Sequence, residues 1–272
     1  MIFHWNPDPI AIYIETVNFK IYWYGIFFAL GFFIGYLIAR TMCRKKGYPL
    51  DKLDILLFFV FIGTIIGARL AHVIFYQPNY YLNHPSEILC LWKGGLASHG
   101  GTIGAFIGFL IFCIRNREFN PLWLLDHLSI AVALVATLIR IGNFINSEIT
   151  GTPTDGSFGI VFEKISNLPL HPVQLYEAGC YLFIMIILTV IYKLHKDHHP
   201  GLMFGLFLTW VFSSRMVLEI FKSSQAEYEI QMNNWISQYV NLPFMVSVGM
   251  LLSIPFIIIG IGFIIYGVKH RY

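Results

Sequence analysis

Arg140, Asn143, Asn146 and Glu148 follow one another closely in Arg140-Ile-Gly-Asn143-Phe-Ile-Asn146-Ser-Glu148, directly after the apolar run Leu128 to Ile139. That run has the composition of a membrane helix. Insertion scales put an arginine at a helix centre at about 2.5–3.5 kcal/mol, so polar groups at such a place face a cavity or a bundle interior, and the default reading is a functional site. Arg69 and Arg215 each lie inside an apolar run of their own. Three embedded cations point to an anionic ligand held at membrane depth. A guanidinium suits a phosphate because its planar fork makes paired hydrogen bonds, which an ammonium does not. Arg215 and Glu219 are one helical turn apart and share a face. They form either a mutually neutralising ion pair or an arginine steadied by Glu219 and offered to a phosphate.

A second group lies in Gly94-Gly95-Leu-Ala-Ser-His99-Gly100-Gly101-Thr-Ile-Gly104. Gly100, Gly104 and Gly108 recur every fourth residue, which reads as close helix packing. His99 can take a proton near neutral pH, so it is a candidate base; a satisfied hydrogen-bonding histidine is the plainer alternative. In His171-Pro-Val-Gln174-Leu-Tyr176-Glu177, Gln174 and Glu177 lie one turn apart and read equally as a polar cap at the membrane surface or as part of a site. Tyr24 reads as an interfacial anchor or a pocket hydroxyl. His195, His198 and His199 read as a solvated loop. Cys43, Cys90, Cys113 and Cys180 form no C-x-x-C pair and read as packing residues. No metal, cofactor or nucleic-acid partner is expected.

The elements that must carry these residues are membrane helices. The chain is 57% hydrophobic and 12% charged, against about 25% charged in soluble domains. Seven apolar spans are read at Ile21–Ala39, Leu53–Phe75, Leu96–Ile114, Leu122–Ile141, Gln174–Tyr192, Leu202–Phe221 and Phe244–Val268. The expected fold is an all-α polytopic membrane protein, with residues 1–272 as one integral-membrane domain. Arg40, Arg44, Lys45, Lys46, Lys52, Arg115, Arg117, Lys193, Lys196, Lys269 and Arg271 fall in connections on one side. Lys20, Lys93, Lys164 and Lys222 fall on the other. The positive-inside rule then predicts an outer N-terminus and a cytoplasmic C-terminus. The N-terminus does not read as a cleavable signal peptide. The longer outer connections carry Trp92, Trp235, Tyr80, Tyr81 and Tyr239, which suit an interface. In this arrangement His99, Arg140, Asn143, Glu148, Arg215 and Glu219 all come to the outer half of the membrane.

The pattern resembles one family, the prolipoprotein diacylglyceryl transferases. The resemblance runs through Trp23-Tyr24-Gly25, Gly67-Ala-Arg69, Gly94-Gly95 to His99-Gly100-Gly101, Asp126, Arg140 to Gly151, His171-Pro172 to Glu177, and Arg215 to Lys222. It implies seven spans and transfer of the diacylglyceryl group of phosphatidylglycerol to the lipobox cysteine of a prolipoprotein signal peptide. A thioether forms and glycerol phosphate leaves, at the bacterial cytoplasmic (inner) membrane. It implies that Arg140 and Arg215 hold the phosphate and that Asn143, Glu148 and Gly151 shape the pocket. His99 matches the histidine of the His-Gly-Gly motif, Tyr24 an important tyrosine, and Glu219 the acidic partner of the second arginine. This sequence departs from the family pattern at Val211, Lys222 and Met250, where tyrosine, arginine and glutamine are common.

Two rival classes remain. An anionic-lipid transporter or flippase would also use embedded arginines, but the chain has no visible inverted repeat. An intramembrane protease would need a serine–histidine constellation or paired membrane aspartates, and the sequence has neither.

Overall fold

The computed structural model describes residues 2–17, 19–90, 95, 97–194, 199–222 and 246–271. The expectations for Trp92, His195, His198, Trp235, Tyr239 and Phe244 lie outside the described residues. So does the side chain of His99, whose backbone is described.

The chain is a polytopic helical membrane protein. Its long helices are α1 (Trp23–Lys46), α2 (Leu50–Phe75), α4 (Ser98–Arg115), α5 (Pro121–Ile145), α6 (Val173–Lys193), α7 (Leu202–Leu218) and α8 (Val248–Lys269); α3 (Pro78–Asn83) is short. Six of them, α4 being the exception, are long and apolar enough to cross a bilayer. Each overlaps a span read from the sequence, because runs this apolar satisfy their backbone groups internally only as helices. Four short strands, β1 (Ile2–Trp5), β2 (Ile10–Ile14), β3 (Phe19–Tyr22) and β4 (Gly159–Phe162), make a parallel pair β1–β4 and a hairpin β2–β3.

The structure divides into two compact units, Met1–Ala39 with Leu125–Tyr272, and Arg40–Leu124. In the second unit α2 and α4 pack glycine against glycine. A Cβ added at Gly67 or Gly104 would overlap the carbonyl oxygens of Gly100 and Gly63, and one at Gly108 that of Phe59. The four-residue glycine repeat is therefore a packing seam. At the foot of the same unit Tyr48 packs on Phe119 and Trp123. Asn120 caps the start of α5 by accepting from the Leu122 and Trp123 amides, with Pro121 at the first helical position. Glu118 accepts from Lys52, and that hydrogen bond holds its carboxyl below the usual range.

In the first unit Gly31 and Gly35 of α1 lie against Val135 and Ala131 of α5. Gly205 of α7 meets the Gly260 backbone of α8. Asp126, wholly buried, accepts from the Gly201 and Phe204 amides at 2.7 and 2.9 Å and so caps α7. At the end of α5 a small apolar cluster of Phe144, Ile160, Phe162 and Leu170 packs with Trp5 of β1. The Trp5 ring stacks on Phe144 and its indole N–H donates to the Phe144 carbonyl at 3.1 Å.

Candidate active site

The site begins where α5 stops. Past Ile145 the chain closes with two backbone hydrogen bonds, Ser147 N–H to Phe144 O at 3.1 Å and Glu148 N–H to Asn143 O at 2.9 Å. This is the glycine-type helix stop, with Ser147 in the left-handed position at φ 58°. Ile149 is left-handed as well, at φ 56°. A β-branched residue there is an outlier, and such conformations cost about 1–3 kcal/mol and persist where the surroundings over-determine them. The surroundings do so here. Glu148 is turned back over the helix end, where its carboxylate accepts from Asn143 and Asn146, both at 3.1 Å. Gln174 of α6 donates to the Glu148 carbonyl at 2.6 Å. Gly151 is pinned between backbones, since a Cβ there would stand 2.6 Å from the carbonyl oxygens of His171 and Phe221. Arg140, two turns or so before this stop, donates to Asn143 at 3.3 Å. Tyr24 lies against Gly142, two residues after Arg140 on α5. Tyr24, Arg140, Asn143 and Glu148 are thus brought together.

The charges beside this turn are paired differently from the sequence expectation. Glu177 of α6 is fully buried and takes two cations. Arg140 Nε stands 2.7 Å from one oxygen and Lys222 Nζ 3.0 Å from the other. Both oxygens are held by ion pairing rather than by aligned hydrogen bonds. Lys222 also reaches Glu219 at 2.9 Å. Glu219 is therefore not the ion-pair partner of Arg215. The reason is local: α7 ends at Leu218, and the single 3-10 turn Glu219–Phe221 brings Lys222 round to Glu219. On its other side Glu219 faces Gly249 of α8, where a Cβ would come within 2.6 Å of the carboxylate. Arg215 is half-buried and has no ion pair among the described residues.

Arg69, in the second unit, corrects the expectation of a third anion-binding cation. It is buried, and its guanidinium donates to the carbonyls of Ile88 at 2.8 Å, Glu87 at 2.6 Å, Gly95 at 3.0 Å and Cys90 at 3.3 Å, with its plane near the Tyr81 ring. It ties down the connection that leads into α4. His99 is the second residue of α4.

A model of the prolipoprotein diacylglyceryl transferase family matches residues 9–266. Three similar proteins carry the name phosphatidylglycerol–prolipoprotein diacylglyceryl transferase. The one from Tolumonas auensis is 46% identical over 98% of both chains. The one from Chloroherpeton thalassium is 41% identical over 98% of this chain and 94% of its own. The one from Bacteroides fragilis is 37% identical over 98% of this chain and 96% of its own. The chain belongs to the prolipoprotein diacylglyceryl transferase family.

As a member of this transferase family the protein shows where the sequence reading fell short. Glu177 read equally well as a surface cap, yet it is the buried anion on which Arg140 rests. Lys222 read as a basic residue of an outer connection and as a departure from the family pattern, yet it bridges two carboxylates. The signal available was the i, i+3 spacing of Gln174 and Glu177, which puts both on one face of α6. Both are wholly buried there, one holding the Glu148 backbone and the other Arg140. Of the other departures, Met250 is buried and Val211 half-buried.

Proposed function

We propose that this protein transfers the diacylglyceryl group of phosphatidylglycerol to the lipobox cysteine of a prolipoprotein signal peptide. The observation that carries the reading is the cation cluster built into apolar helices, Arg140 fixed on Glu177 and Asn143, and Arg215 without an ion pair among the described residues. The thiol gives its proton to His99, which its place in the motif recommends as base. The thiolate attacks the glyceryl carbon that bears the phosphate. A carbon–sulfur bond forms, the carbon–oxygen bond breaks, and glycerol phosphate departs with the electron pair. Guanidiniums of Arg140 and Arg215 stabilise the charge gathering on the phosphate oxygens. Asn143, Glu148, Gly151 and Tyr24 shape the wall around Arg140, and Glu219 acts there through Lys222.

In this reading the whole chain works as one domain in the bacterial cytoplasmic membrane. Helix α4 is the seventh span, the N-terminus is outside and the C-terminus cytoplasmic. At 18 residues α4 is about 27 Å long, close to a hydrocarbon core of about 30 Å. The test is purified protein with phosphatidylglycerol and a lipobox peptide, read by mass. The peptide should gain a diacylglyceryl group on its cysteine. His99→Gln should slow that transfer by about 10²–10⁴ while lipid still binds. Lipid movement across vesicles with no peptide product would favour a transporter.

A further inference from the structure

Glu219 follows Arg215 by four residues, at the C-terminal cap of α7, a spacing that on a continuous helix ordinarily pairs the two. Glu219 is instead paired with Lys222. Its ammonium lies 2.9 Å from Glu219 and 3.0 Å from Glu177. The side chains of Lys222, Glu219 and Glu177 are 9%, 12% and 0% exposed. The ammonium is also delivered from a fixed backbone. Lys222 N–H donates to the Glu219 carbonyl at 3.1 Å, Lys222 forms a β-bridge with Gly151, and Thr152 N–H donates to Phe221 O at 2.8 Å. Arg140 and Lys222 together balance Glu177 and Glu219, and Arg215 is left without an ion pair among the described residues.

We propose that Lys222 is a positioning residue that occupies Glu219 and thereby keeps Arg215 unpaired. What Arg215 is kept free for rests on the transferase reading above. A buried carboxylate stripped of its cation is strongly unfavourable and draws in the nearest available one. For Glu219 that cation is Arg215, one turn back along α7. An ammonium suits the task because its three donors act as a compact charge and can serve two carboxylates at once. Lys222 therefore holds the two glutamates so that neither neutralises the arginine needed for an anionic substrate.

The experiment uses the full-length protein in phosphatidylglycerol-containing nanodiscs, with variants Lys222→Met, Lys222→Met/Glu219→Gln, Lys222→Met/Glu177→Gln and Lys222→Arg. Two readouts are taken on folded protein. One is diacylglyceryl transfer to a lipobox peptide. The other is the rate at which phenylglyoxal modifies Arg215, followed by peptide mass spectrometry. In Lys222→Met both should fall by about tenfold or more as Arg215 is captured. Adding Glu219→Gln should return the Arg215 modification rate toward the parent value, because the capturing carboxylate has gone, and should recover part of the transfer. Adding Glu177→Gln should not, because Glu219 remains to capture Arg215 and Arg140 also loses its anchor. Lys222→Arg should keep most of both. Unchanged Arg215 reactivity in folded Lys222→Met, or equal rescue by either glutamine, would overturn the proposal. Absence of transfer in the parent protein would remove the transferase reading, while the reagent rates still decide the role of Lys222.

Discussion

A guanidinium inside a membrane protein can be used up by the protein or kept for something else, and Arg69 and Arg215 take opposite courses. Arg69 gives its donors to backbone carbonyls and is a staple. Arg215 has no ion pair among the described residues. Arg140 is intermediate, with Nε on Glu177 and one terminal nitrogen on Asn143, so part of its fork stays available. That division argues that fork geometry matters at both candidate positions and that charge is not enough. Arg140→Lys can keep the Glu177 contact or the Asn143 contact, but a single ammonium reproduces neither the span nor the remaining donors. Transfer by Arg140→Lys and by Arg215→Lys should each fall about 10²-fold, close to the alanine variants. Full activity in both lysine variants, measured per folded protein, would remove the forked phosphate grip from the mechanism.

Elements are placed here by small residues and by stops. The α2–α4 seam admits no side chain at Gly104, because the Gly63 carbonyl occupies the space. Forcing one in costs about 1–3 kcal/mol where backbones can shift and more where they cannot. Gly179 of α6 has nothing within 4 Å of an added Cβ. Gly104→Leu should therefore lower the melting temperature in detergent clearly. Gly179→Ala should hold or raise it, since alanine at a compatible helical position adds about 0.4–1 kcal/mol. Equal effects of the two substitutions would mean the seam is not a tight packing surface. The stop of α5 works by the opposite device. It turns the chain with two left-handed non-glycine residues and uses Asn143, Asn146 and Gln174 to hold the result.

Over the whole molecule the charge bias of the connections and the helix lengths bear on one question, which side the chemistry faces. The proposed orientation puts the basic connections in the cytoplasm, and it requires α4 to cross despite its 18 residues. Reporter fusions after Arg117 and Lys196 should read as cytoplasmic, and fusions at Asn83, Asp155 and Asn233 as external. A cytoplasmic signal at Asp155 would reverse the orientation. Cytoplasmic signals at both Asn83 and Arg117 would mean that α4 does not span.

Much of this was legible in the sequence, because apolar runs in a bilayer have one way to satisfy their backbone and because glycine at four-residue spacing has one common use. Thus the spans at Leu53–Phe75 and Leu202–Phe221 fall on α2 and α7, and Gly100, Gly104 and Gly108 fall on a helix seam. The cluster of Arg140, Asn143 and Glu148 was legible too, since a helix and its stop keep near neighbours together. Charge pairing was not. Along α7 alone, Arg215 and Glu219 are a natural pair, and nothing local says otherwise. Only tertiary structure brings Glu177 from α6, and only the 3-10 turn after α7 brings Lys222 onto Glu219. Arg69 could not be told from a ligand-binding arginine for the same reason, because its carbonyl partners come from a connection whose path the sequence does not reveal. Periodicity reports which residues share a face; which charges meet across faces depends on distances of a few ångströms that only packing sets.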